Sequence, residues 1–256
     1  HPHTGLQTVT WLLEGEVLHR DSLDNTQPIR PGQLNLMTSG HGIAHAEVSP
    51  SPHPPLLHGL QLWVALPAGA KDGPARFEHH ADLPRFSAPG VEGTVLIGSL
   101  GGATSPARVH TPLVGADLDV YGAAEVPLEP GFEYAILATS GSATVDGRVV
   151  EPGALLYLGT GRSSLPLVAQ GKARLFLLGG EPFEEHLVMW WNFVARTHEE
   201  IVAARTDWTA AVDAAASGAP SPRFGVVRGY DGAPLPAPEM PTTRLLPRDR
   251  HGNTLR

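Results

Sequence analysis

The chain has 256 residues, 41% hydrophobic and 17% charged, with 18 basic against 26 acidic side chains for a net charge of −8. That length buries one large or two medium cores, and an acidic balance without a basic run excludes a direct grip on a nucleic-acid backbone. With no cysteine there are no disulfides or thiolate ligands, and no apolar run nears the roughly 20 residues of a membrane span, so a cytoplasmic protein without a membrane partner is expected.

The 29 Gly and 25 Pro suit an all-β chain of short strands joined by turns. His1-Pro2-His3 comes first, and in an extended strand residues i and i+2 share a face, so both rings project together. Residues 8–13 alternate β-branched and large apolar side chains and predict a buried strand. After the Glu14-Gly15 turn, residues 16–20 are expected to return antiparallel, and Asp21 to Asn25 form a loop of turn formers. Pro31-Gly32 is a tight turn before a strand over 33–37, and Gly40 and Gly42 let the backbone bend ahead of His45-Ala46-Glu47.

His45 and Glu47 form a second pair at i, i+2 spacing. Thirteen histidines are too many for all to be ligands. A lone His is ordinarily a surface or satisfied core residue, and His53, His58, His79, His80, His110, His186, His198 and His251 are read that way. Two such pairs flanking a Pro-Gly turn are another matter. Brought together from two strands of one barrel wall, they offer three imidazoles and one carboxylate, a set suited to a divalent first-row metal. The single carboxylate argues against calcium or magnesium, and an open site of this kind is catalytic or ligand-sensing rather than structural. Trp11 and Met37 are candidate lining residues of a substrate pocket, although such side chains ordinarily fill a core.

Further along, residues 50–55 form a proline-rich loop, residues 56–66 a strand closing the first barrel, and residues 67–90 read as an inter-domain connection. Matching Gly15 to Gly141 reveals an internal repeat: Thr10 to Leu13 pairs with Ile136 to Thr139, and Arg30-Pro31-Gly32 with Glu151-Pro152-Gly153. In this register His1, His3, His45 and Glu47 fall opposite Pro127, Glu129, Pro166 and Val168, so a metal is expected in the first barrel alone. Asp146-Gly147 predicts a tight hairpin, and residues 173–178 the last barrel strand. Thr197 and Glu200 form a capping box for a helix near 198–216, with Ile201, Ala204, Trp208, Ala211 and Val212 on one face and Gly218 and Pro220 at its end. Its plain role is packing on a barrel flank. Residues 219–256, rich in proline, predict an extended tail. The expected domains are 1–85, holding the metal, and 86–256, a second barrel with the helix and tail.

His1 through Glu16, then His19-Arg20-Asp21-Ser22, Ile29-Arg30-Pro31-Gly32 and Gly40 through Glu47 resemble the N-terminal barrel of the pirins, two-barrel members of the cupin superfamily. The resemblance is dense over residues 1–66, continuous to about Glu185, and returns at 190–200. It implies two tandem cupin barrels of jelly-roll-like antiparallel strands, with strands ahead of the first histidine pair lying upstream of His1. It also implies iron(II) at His1, His3, His45 and Glu47, where nickel, copper or zinc can substitute. Many pirins carry Glu where this chain has Gln7, a change expected to alter the charge around the site without removing a ligand. The resemblance implies one of two functions. One is ring-opening dioxygenation of a flavonol such as quercetin, with Glu47 as ligand and general base. The other is a non-enzymatic iron-dependent regulator that docks a protein partner. The oligomeric state stays open.

Overall fold

The computed structural model describes residues 1–215 and 221–254. The chain forms two compact units, His1–Ala81 with Phe183–Arg256, and Asp82–Pro182. In the first lie β1 (Pro2–His3), β2 (Leu6–Glu14), β3 (Val17–Asp21), β4 (Thr26–Ile29), β5 (Leu34–Thr38), β6 (Ile43–Val48), β7 (His58–Ala65) and β8 (Arg76–His80). They make two four-stranded antiparallel sheets, ordered β1-β6-β3-β4 and β7-β2-β5-β8. The expected return of residues 16–20 onto 8–13 is not what happens. Both edges of β2 are taken by β5 and β7, and β3 crosses at Gly15 to pair with β4 and β6.

The second unit holds β9 (Arg85–Ala88), β10 (Val91–Ile97), β11 (Ser99–Leu100), β12 (Ala103–Thr104), β13 (Leu113–Pro127), β14 (Glu133–Ser140), β15 (Ala143–Val145), β16 (Arg148–Val150), β17 (Leu155–Gly159) and β18 (Ser164–Gly180). Residues 67–90 are therefore more than a connection. They contain β8, which pairs with β5, and β9, which pairs with β10. Proline and glycine around these short strands hid them. The stretch 173–178 is the end of one 17-residue strand, β18, bonded along its length to β13.

The repeat holds at the level of hydrogen-bond register. Val9↔Leu36, Thr10↔Asn35 and Trp11↔Leu34 between β2 and β5 recur as Ala135↔Tyr157, Ile136↔Leu156 and Leu137↔Leu155 between β14 and β17. Gly15, Gly32 and Gly40 and their counterparts Gly141, Gly153 and Gly161 all have positive φ. One part of the alignment shifts. His3 pairs with Ile43, and Pro127 pairs with Ser164, so the counterparts of His1 and His3 are Glu125 and Pro127. The loop between β13 and β14 is longer than that between β1 and β2, which displaces the register by two.

The last strands, β19 (Val188–Trp190) and β20 (Phe193–Ala195), and α1 (His198–Ala215) belong to the first unit, as does the tail. This corrects the expected assignment of residues 183–256 to the second domain. The reason is apolar burial. Ile201, Ala204, Trp208 and Ala211 pack with Val188, Phe193, Phe224 and Ala44, and Ala44 belongs to β6. The Glu200 N–H donates to Thr197 Oγ1 at 3.2 Å, while the Glu200 carboxylate takes the Arg196 N–H at 2.7 Å, one residue before the box position. Ala216, Gly218 and Pro220, called for the helix end, lie outside the described residues.

Gly5 joins β1 to β2 with φ +70°, and a Cβ there would meet the Val194 carbonyl oxygen at 2.1 Å. Gly32 has φ +80° with nothing within 4 Å. Gly32→Ala should cost about 1 kcal/mol for the left-handed conformation alone. Gly5→Ala should cost about 3 kcal/mol or more, because β20 must also move. Urea unfolding of the two variants checks the difference, and equal costs would contradict the tight approach of β20 to β1.

Candidate metal centre

β1 and β6 pair antiparallel with Pro2↔Ala44 and His3↔Ile43. The next residues, His1 and His45, also meet, with the His45 N–H donating to the His1 carbonyl at 2.9 Å. Alternation turns His1, His3, His45 and Glu47 to one face, and Ala44 to the other, against α1. His45 Nε2 lies 2.8 Å from His1 Nε2 and 3.1 Å from His3 Nε2. His3 and His45 are 1% exposed and His1 is half-buried.

Burial disfavours a charged imidazole, so His3 is lowered to about 4. His45 is pushed well below the ordinary value by burial and then by the neighbouring imidazoles. His3 Nδ1 sits 3.2 Å from the Asn192 carbonyl, to which only an N–H can donate, so Nε2 of the neutral ring is a lone pair. His45 Nδ1 is buried without a hydrogen-bond partner. One proton on His45 Nε2 can serve one neighbour, which leaves its other short nitrogen contact without a hydrogen. A cation removes that conflict. Two nitrogens each about 2.1 Å from one ion and at right angles lie about 3.0 Å apart, close to both separations here. The donor set therefore fits a divalent metal.

Glu47 stands differently from the expectation. The three imidazoles form one set whose ligand atoms all lie within 4.8 Å of one another, and Glu47 falls in a second set with His45 and His19. Its Oε2 accepts from Gln61 Nε2 at 2.6 Å and its Oε1 from Thr10 Oγ1 at 3.4 Å. Gln61 and Thr10 come from the facing sheet, where they are register partners.

Sequence reasoning passed over His19. It lies opposite Glu47, and Asp21 opposite His45. His19 Nε2 is 3.1 Å from Asp21 Oδ2, Nδ1 is 3.7 Å from Glu47 Oε1, and the ring stacks on Phe77 at 4.5 Å. Burial lowers its pKa, but the Asp21 and Glu47 carboxylates outweigh this and hold it above the ordinary imidazole value. Asp21 is itself fixed by the Leu23 and Asn25 backbone N–H groups and the Asn25 amide. The signal was available, because His19-Arg20-Asp21 has the same i, i+2 spacing as the two chosen pairs.

Met37 shares the inward face with Thr8 and Phe77 and is buried. Trp11, three residues from Thr8, lies on the opposite face of β2 and is also buried, so it lines no pocket at this centre. Gln7 likewise faces away and donates to Thr38 Oγ1 at 2.9 Å, so the missing carboxylate leaves the centre's charge untouched. The second unit offers no comparable polar interior. Its buried cluster is apolar, from Val95 and Leu118 to Ile136, Leu167 and Leu175.

Residues 1–64 match the Pirin family, and residues 113–212 match the Pirin C-terminal cupin domain. A Pseudomonas aeruginosa protein provisionally named quercetin 2,3-dioxygenase is 46% identical over 243 residues, covering 94% of this chain and 74% of its own. Human pirin is 33% identical over 218 residues, covering 81% of this chain and 74% of its own. The crystal structure of quercetin 2,3-dioxygenase from Acinetobacter baumannii superposes with a TM-score of 0.86 at 43% identity, over 95% of this chain and 79% of that one. With two barrels in a shared register and relatives matched over most of its length, this chain belongs to the pirin family.

Proposed function

We propose that the chain is a metal-dependent dioxygenase that opens the ring of a flavonol, of the quercetin 2,3-dioxygenase type. Its metal is iron(II), held by His1, His3, His45 and Glu47. The convergence of three imidazole Nε2 atoms, those of buried His3 and His45 and half-buried His1, carries this reading. Relatives that bear the dioxygenase name at 46% and 43% identity support the substrate class. Bound there, iron(II) supplies the redox chemistry that lets a flavonol react with O₂. Nickel, copper or zinc suit the same nitrogen and oxygen donors.

The chain's own part is positioning and proton handling. His3 and His45 stay neutral near pH 7, so no proton has to leave these two rings before a cation enters. Asn192 fixes the His3 tautomer from a turn 189 residues away in sequence. Glu47 accepts the proton of the flavonol 3-hydroxyl, and its oxygens are held by Gln61 and Thr10 so that the carboxylate does not swing away. The direct test is anaerobic reconstitution with iron(II), followed by oxygen uptake against a panel of flavonols. Iron held without any uptake would turn the reading toward a metal-dependent regulator with a protein partner.

Elemental analysis of a His45→Ala, Glu47→Ala double variant should find nearly all metal gone while circular dichroism shows the β fold kept. Unchanged metal content would remove these residues from the centre. Glu47→Gln should hold metal more weakly and turn over roughly 10²- to 10⁴-fold more slowly, the range for loss of a general base. Full turnover in this variant would place the base elsewhere.

Acid should weaken the metal-free protein through His3. Its folded pKa of about 4 lies below the ordinary 6.5, so the unfolded chain binds the extra proton between those values. Stability is full above about pH 6.5 and falls as pH drops toward 4, by roughly 3 kcal/mol for this group. Urea midpoints at pH 7 and 4.5 should separate in the wild type by more than in His3→Gln. An equal separation would mean that His3 is not buried neutral.

A further inference from the structure

The two sheets of the first unit have one edge each at β1 and β7, the others being β4 and β8. The β1 and β7 edges meet where the Trp63 ring stands edge-on to His3, with centroids 5.1 Å apart and planes at 80°. The face of β7 turned toward the centre is its more exposed one. Gln61 and Trp63 are exposed, whereas Leu60 and Leu62 on the other face are half-buried. A strand that keeps its aliphatic side chains covered and offers a tryptophan to solvent beside buried imidazoles inverts the usual pattern. Of the five tryptophans only Trp63 is exposed, at 40%.

We propose that Trp63 is the stacking platform on which a flat aromatic substrate lies as it enters between β1 and β7, a specificity-determining residue that nothing in the metal centre requires. This rests on the dioxygenase reading and names how its substrate class is recognised. A polyphenol has two apolar faces and a polar rim. The exposed indole meets a face, and the rim is left for Glu47 and the imidazole cluster. Gln61, two residues before Trp63 on the same face, already gives its amide to Glu47 at 2.6 Å, so the strand that carries the aromatic platform also holds the proton acceptor. A buried aromatic would serve packing only. One left partly in water at the mouth of a polar site gains burial when a planar ring covers it.

The experiment uses zinc-loaded protein without oxygen, so that binding is read without turnover. Two probes are titrated by calorimetry: 3-hydroxyflavone, which is flat and extended, and acetohydroxamate, a small non-aromatic chelator. Trp63→Ala should weaken 3-hydroxyflavone roughly 10- to 100-fold and leave acetohydroxamate within about twofold, with zinc content unchanged. Trp63→Phe should restore flavone binding to within about threefold of wild type. Equal weakening of both probes, or an unchanged flavone affinity in Trp63→Ala, overturns the platform and leaves the dioxygenase reading standing. Wild-type protein that binds acetohydroxamate but no flavone overturns the substrate class itself, and the platform with it.

Discussion

Everything at the centre depends on the pairing of a two-residue strand, β1, with β6. Pro2↔Ala44 and His3↔Ile43 set a register in which His1 meets His45 and all three imidazoles face inward. The side-chain period of a strand is two, so a slip of one residue would turn every candidate ligand outward. So short a ladder does not hold its own register. It is pinned by the bridge from Thr4 to Phe193, by the Gly5 N–H on the Gly40 carbonyl at 3.0 Å, and by the Val194 N–H on the Thr4 carbonyl at 3.0 Å. α1 in turn backs β6 through Ala44. The helix and the β19–β20 hairpin thus set where the candidate ligands point, although neither supplies one.

The two units share a scaffold and differ in what they bury. In the second, the interior cluster is aliphatic and aromatic. In the first, His3, Thr8, Thr10, His19, Asp21, Asn35 and His45 are all buried. A buried polar group costs free energy unless it finds a partner. Here Asp21 gathers four donors, Glu47 takes three contacts, and the imidazoles remain with nitrogen facing nitrogen. The strain of that arrangement is chemical rather than steric, and a cation relieves it. The unit with the more costly interior is the one that holds the candidate metal centre.

Each miss in the sequence reading has its own cause. β8 and β9 were hidden because proline and glycine punctuate them, and a short strand between breakers has too few residues to show a period. Residues 16–20 were given the wrong partner because a hairpin turn and a corner between sheets look alike when both use a glycine with positive φ. Gln7 drew attention by family comparison, yet strand alternation puts it behind the sheet. His19 was passed over because the reading split it from Asp21, with His19 in a strand and Asp21 opening a loop, and only the pairing of β3 with β6 reveals it as Glu47's neighbour.

What the sequence determined by itself was the alternation. The i, i+2 pairs, the positive-φ glycines and the repeat spaced on them follow from local stereochemistry, which reads only a few residues at a time. The all-β class, the internal repeat and the identities of the facing imidazoles came from that, while the two-barrel organisation was implied by the resemblance to the pirins. The tertiary structure decided which strands pair, and so which side chains meet across them. It put His19 and Gln61 on Glu47, Asn192 and Trp63 on His3, and it returned residues 183–256 to the first unit. These contacts join residues up to 189 apart in the chain. They are set by burial of apolar surface and by hydrogen-bond register, two quantities that belong to the folded chain as a whole and leave no trace in a local window of residues.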